Sequence, residues 1–204
     1  MAYPQRIIQT GATYYVTSRC INFEPYLQLD EVKDIVLKCI AKTQARYIFE
    51  VSSFGILDNQ FRIIIRTIDD QYTISKILQH MKSMITRNVN RRAFRSGTIW
   101  NERFISQIID TAVSSIEELK TLIFYVMYNP GVSIAEANPR KNRFNSIFAY
   151  TGEGYPPGIT ISLHPVLTKI WDSTEQLLAG FKEFEKCAFL RCKKSEFGSS
   201  EVYF

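Results

Sequence analysis

The stretch Phe54-Gly-Ile-Leu-Asp-Asn-Gln-Phe-Arg-Ile-Ile-Ile65 constrains the fold more than any other part of the chain. Apolar runs at Ile48–Ile56 and Gln60–Thr67 flank a tight turn at Leu57-Asp58-Asn59, which predicts a hairpin of two strands, the second one buried. Within that second strand Gln60 and Arg62 stand one pleat apart and therefore share a face.

The elements around the hairpin follow from periodicity. Thr13 to Ile21 alternates as a strand. Asp30 is placed to cap a helix through Tyr47, with Val32, Ile35, Val36, Cys39 and Ile40 at the three-four spacing of one buried face. A second helix starts near Thr73, with Ile74, Ile77, Leu78, Met81, Ile85 and Val89 as its apolar stripe. Ile99 to Ile109 reads as extended, and Ile116 to Tyr128 as a third helix stopped by Pro130-Gly131. The order βαββαβα with a split crossover is that of an α+β, ferredoxin-like (RRM-like) antiparallel sheet. Gly152-Glu-Gly-Tyr-Pro-Pro-Gly158 is a cluster of turn formers. It divides the chain into residues 1–150, a linker at 151–159 and a helical C-terminal extension at 160–204.

Five fragments in order carry a family likeness: Tyr14-Tyr-Val-Thr-Ser-Arg-Cys-Ile21, Ile74-Ser-Lys-Ile-Leu-Gln79, Gly97-Thr-Ile-Trp-Asn-Glu-Arg-Phe104, Tyr125-Val-Met-Tyr-Asn-Pro130 and Asn145-Ser-Ile-Phe-Ala-Tyr150. Together they resemble the REP-associated tyrosine transposases, single-tyrosine HUH-type nucleases, over about Thr13 to Tyr150. The resemblance implies a central antiparallel sheet with helices on one face. It also implies a tyrosine nucleophile at Tyr125 and a divalent metal, magnesium or manganese. The metal would be held by two histidines at Gln60 and Arg62 and by a polar residue at Asn129.

Both histidines are missing. A guanidinium stays protonated and offers no lone pair, so Arg62 cannot ligate a metal. Gln60 and Asn129 offer only neutral amide oxygens, poor replacements for imidazoles. No metal or other cofactor is expected, and cleavage by the family route is expected to be lost. The fixed charge of Arg62 suits a DNA phosphate in the place of the metal. An ion pair with a neighbouring carboxylate is the plainer alternative for Arg62, and simple packing of a helix aromatic on the sheet for Tyr125.

A second basic feature is broader. Lys82, Arg87, Arg91, Arg92 and Arg95 crowd the end of the second helix and the turn after it, followed by Trp100 and Arg103. Cations beside aromatics suit a nucleic-acid strand, although a charge run also serves as a solvated helix end. Trp100 is read as a stacking residue, with a place in the core as its alternative, and Phe104 as core. Arg140-Lys-Asn-Arg143 and Lys193-Lys194 add further charge.

The whole chain sets bounds. With 204 residues, 46% of them hydrophobic, it holds one domain and an appendage. A formal charge of +5 favours an anionic partner. No run is long enough to cross a bilayer and none reads as a signal peptide, so a cytoplasmic location is expected. Cys20, Cys39, Cys187 and Cys192 make no CxxC pair, and His80 and His164 are isolated, so free thiols are expected. The preferred expectation is a reader of single-stranded or hairpin DNA that has lost its nuclease activity. Two others stay open: an active tyrosine nickase with an altered metal site, and a protein-interaction scaffold. The resemblance allows a monomer or a homodimer.

Overall fold

Strands β1 (Thr13–Arg19), β2 (Phe49–Ile56), β3 (Gln60–Thr67) and β4 (Ile105–Ile108) form one sheet in the order β2-β3-β1-β4, every neighbouring pair antiparallel. This is the ferredoxin-like order. The computed structural model describes residues 8–101, 103–109, 116–128, 142–151, 158–170, 173, 175–183 and 186.

Alternation along the strands sorts side chains onto two faces. Tyr14, Val16, Phe54, Phe61, Ile63 and Ile65 point one way, and helices α1 (Asp30–Arg46) and α2 (Ile74–Arg92) close over them as the main core. Ile64 and Tyr15 point the other way, toward α3 (Ile116–Tyr128), whose Leu119, Ile123, Phe124 and Met127 form a second core. The crossover helices thus share a face as expected, and α3 adds a layer on the opposite one. Arg62 lies on the α3 face, opposite Thr17 of β1 and Gly55 of β2.

Local chemistry sets the helix starts. Thr73 caps α2 by accepting a hydrogen bond from the Lys76 amide at 3.3 Å. The capping role expected of Asp30 is not realised. Leu29 holds the cap position of α1 without a side-chain bond, and Asp30 and Glu31 lie in the first turn, where carboxylates suit the helix dipole. The last strand is also shorter than expected. Ile99 and Trp100 are consecutive and both buried, which a one-faced edge strand cannot provide. The chain therefore makes one bridge to Cys20 and bends before the ladder with β1 begins at Ile105.

The described parts of the C-terminal extension share the main body of the fold. Gly55 bridges Asn145, Val51 bridges Ile161, and the Ser162 amide donates to the Val51 carbonyl, which together cover the outer edge of β2. Tyr150 of α4 (Ile147–Thr151) donates its hydroxyl to the Ser52 carbonyl at 2.6 Å. Before α5 (Pro165–Ile170), buried His164 meets Thr13 through Nε2 and Oγ1 at 2.9 Å. Farther on, Phe181 packs edge-on against Phe124.

Burial pushes the Cys20 thiol up to about 12 and Cys39 to about 11, from an ordinary 9.0. Both thiols are neutral in the fold, and their stabilising contribution is whole below pH 9. It is lost as pH rises from there through the folded values, because the unfolded chain then releases protons that the folded chain keeps. The melting temperature is expected to fall between pH 9 and pH 11, and by less in a Cys20→Ala/Cys39→Ala variant. Cys187 and Cys192 lie outside the described residues.

Candidate nucleic-acid interface

The positions singled out in the sequence resolve into two places on opposite faces of the sheet. The first lies between β3 and α3. Arg62 is only 9% exposed, and its guanidinium carbon sits 4.9 Å from the centroid of the Tyr125 ring. A cation over an aromatic face is attracted to it, the more so when desolvated. The polar needs of this pocket are not met by the described residues. Arg62 Nε and Nη1 and Gln60 Oε1 are all buried without a hydrogen-bond partner among them. Arg66, two pleats along on the same face, contrasts with this, since its Nη1 reaches Glu50 at 2.8 Å. Buried polar atoms without partners are uncommon in folded proteins and call for a ligand, water or function to explain them. Gly55 opposite Arg62 adds no side chain to the pocket.

The described donors of this pocket do not make a ligand set for a divalent cation. A buried, permanently charged guanidinium repels one, and no cluster of three or more His, Cys, Asp or Glu side chains suited to a metal occurs among the described residues. Asn129, the remaining ligand position implied by the resemblance, lies outside the described residues. Tyr125 itself is half-buried on α3 and faces Arg62, so these two of the implied positions do converge.

The second place is a groove of about 1140 Å³ between α2 and the segment 97–104. Lys82, Arg87 and Arg103 line it, with Ser75, Gln79, Ser83, Thr86, Thr98 and Asn101 supplying polar side chains. None of its described lining residues is acidic. The α2 contribution is a helical stripe beside the buried one: residues 75, 79, 82, 83, 86 and 87 recur at three-four spacing. Arg91, four residues beyond Arg87, extends that stripe and is exposed.

Three residues of the expected patch behave differently. Arg92 turns to α1 and pairs with Glu31. Arg95 stacks on Tyr26 at 4.3 Å and reaches the Thr98 carbonyl. Trp100, read from the sequence as a stacking residue, is 6% exposed. Its indole donates to the Lys82 carbonyl at 3.2 Å, its ring packs edge-on against Phe61, and the Lys82 ammonium lies 5.4 Å from its centroid. It therefore offers no free face to a base and serves instead to hold Lys82 at the groove wall. Phe104 is core, as expected. Arg143 is engaged by Asp34 through two bonds of 2.9 Å, an exposed pair of structural use, and Lys193-Lys194 lie outside the described residues. The neutral lining of the groove gave no signal in the sequence, because isolated Ser, Thr and Gln on a helix are commonplace.

No protein-family model matches the chain, and no curated protein matches it in sequence. Among solved structures, it is similar to a REP-associated tyrosine transposase bound to a REP hairpin. That match has 17% identity and a TM-score of 0.61, covering 80% of this chain and 94% of the other. A protein from Deinococcus radiodurans assigned as a transposase is similar at 12% identity and a TM-score of 0.40, over 62% of this chain and 95% of that one. This second likeness is too loose to define a shared fold.

Proposed function

We propose that the chain, which has the fold of a REP-associated tyrosine transposase, binds single-stranded or hairpin DNA and does not cleave it by the metal-tyrosine route. The observation that carries this reading is Arg62. Where the resemblance places a metal ligand there is a buried guanidinium whose Nε and Nη1 find no hydrogen-bond partner among the described residues, set against the ring where the resemblance places a nucleophile. Such a group rejects a cation and accepts a phosphate oxygen, so the pocket retains an affinity for the DNA backbone without the Lewis acid that cleavage needs. The groove beside α2 supplies the wider electrostatic footprint. Phosphate contacts there give affinity and little sequence information. That the solved protein with this fold is bound to a REP hairpin supports DNA as the polymer.

The groove's part is tested by salt dependence. Lys82→Ala, Arg87→Ala and Arg103→Ala are each expected to lower the slope of log affinity against log salt by about 0.7 for a single strand, since each removes about one phosphate contact. Titration of a labelled oligonucleotide by fluorescence anisotropy at several salt concentrations measures it. Arg92→Ala, whose cation is engaged by Glu31, is expected to change the slope by much less. Equal slopes for the wild type and all three groove variants would remove the groove from the interface.

A further inference from the structure

Resting on the DNA-binding reading, we infer that Phe23 and Phe94 are stacking residues for unpaired bases. Three non-glycine residues among those described have positive φ: Asn22 (52°), Phe23 (57°) and Phe94 (48°). Backbone of this kind is disfavoured for any residue with a Cβ, and for a bulky aromatic most of all. All three lie in two loops that meet at one end of the sheet. Arg95 of the second loop stacks on Tyr26 of the first, and the Ile21 amide donates to the Ile99 carbonyl at 3.0 Å. The Asn59 side chain holds the Phe23 carbonyl at 3.3 Å, so the β2–β3 turn belongs to the same assembly.

Neither ring is part of the core. Phe94 is 98% exposed and Phe23 61%. Phe94 occupies the left-handed position just past the α2 C-cap, where the Arg95 amide returns to the Asn90 carbonyl at 3.0 Å in the pattern of a Schellman motif. Glycine meets that backbone requirement at lower cost, and a solvated loop tip has no packing need for a phenyl ring. Strain held in place by surrounding contacts, on rings left largely to solvent, marks a site of function.

The surroundings select the occupant. The Arg19 guanidinium lies 5.7 Å from the Phe23 centroid, and in the chain Phe94 is followed by Arg95 and preceded by Arg91 and Arg92. The described carboxylates nearby include Glu24, in the first loop, Glu31, which Arg92 engages, and Asp58 of the β2–β3 turn, which Lys33 engages. Aromatic faces interleaved with guanidinium groups fit a polyanion with exposed bases better than an apolar protein surface. The position fits too. Gly97 and Thr98, which follow Phe94, line the groove, while Arg19 is registered opposite Gln60 beside Arg62. The loop of Phe94 thus runs on into the groove and the loop of Phe23 runs on from the strand that borders Arg62, so that a strand passing around the sheet end would unstack onto the two rings.

The test uses the full chain, a fluorescein-labelled single-stranded oligodeoxynucleotide and its blunt duplex. Phe94→Gly and Phe23→Gly are each expected to lower single-strand affinity about 5- to 100-fold, the range of one lost base stack. Duplex affinity and the salt slope should hold. Phe94→Gly is also expected to melt at or above the wild-type temperature, because the left-handed backbone suits glycine. Phe94→Trp should keep the affinity, with its indole emission quenched by bound oligonucleotide. Glycine variants that bind single strands like the wild type would overturn the inference and leave the DNA-binding reading standing, as would equal losses on single strand and duplex. A wild type that binds no nucleic acid at low salt would end both.

Discussion

Arg62→Met is expected to melt higher than the wild type and to bind a single strand at least about 30-fold more weakly. Two buried donor nitrogens without partners among the described residues cost on the order of 1–3 kcal/mol each. Methionine fills much of the same space with no polar atom to desolvate. The stack on Tyr125 is lost with the guanidinium, at about 1 kcal/mol. The balance favours methionine by roughly 1–5 kcal/mol, which for a protein of this size raises Tm by roughly 2–20 °C. The binding loss follows from removing one partner of a desolvated charge pair, a change of about 2–5 kcal/mol. Thermal melting by circular dichroism and anisotropy titration read the two effects. A variant that is less stable and binds normally would make Arg62 a structural cation.

Phe181→Ala is expected to cost about 3–5 kcal/mol of folding stability. The ring is fully buried, 5.2 Å from the Phe124 centroid and 5.4 Å from that of Tyr128. Both partners belong to α3, so the cavity would open beneath the helix that positions Tyr125 over Arg62. Against a total stability of about 5–15 kcal/mol, this is a large fraction. Urea unfolding followed by circular dichroism measures it, with exposed Lys182→Ala as the control expected to stay within about 0.5 kcal/mol. A near-neutral Phe181→Ala would mean that the helical residues 175–183 lie outside the cooperative unit.

The contrast between these two residues shows what the sequence made legible. The hairpin, the helical stripes of α1 and α2 and the span of α3 follow from apolar periodicity, which burial enforces locally. The strand around Trp100 did not follow, because consecutive Ile99 and Trp100 are buried against partners far away in the chain. The basic cluster read as one patch for the same reason. Lys82, Arg87, Arg92 and Arg95 are close in sequence, yet Glu31 and Tyr26 draw the last two away from the groove. For Arg62, the shared face with Gln60 was readable from the pleat. Its burial depends on α3, more than fifty residues later, and the lack of a carboxylate partner among the described residues is a property of the packed state. Phe94 gave no sequence signal of its own, since a phenylalanine near a helix end is ordinarily core. Its exposure and its positive φ distinguish it.

The activity proposed for this chain is DNA binding without cleavage. Its most direct test is anisotropy titration of the wild-type chain with a labelled hairpin carrying a single-stranded tail, with and without magnesium or manganese, each sample then run on a denaturing gel. Tight, salt-sensitive binding with intact oligonucleotide in every lane is the predicted result. Metal-dependent nicking that disappears in Tyr125→Phe would contradict it, because the pocket around Arg62 would then support the chemistry that its charge is argued to exclude.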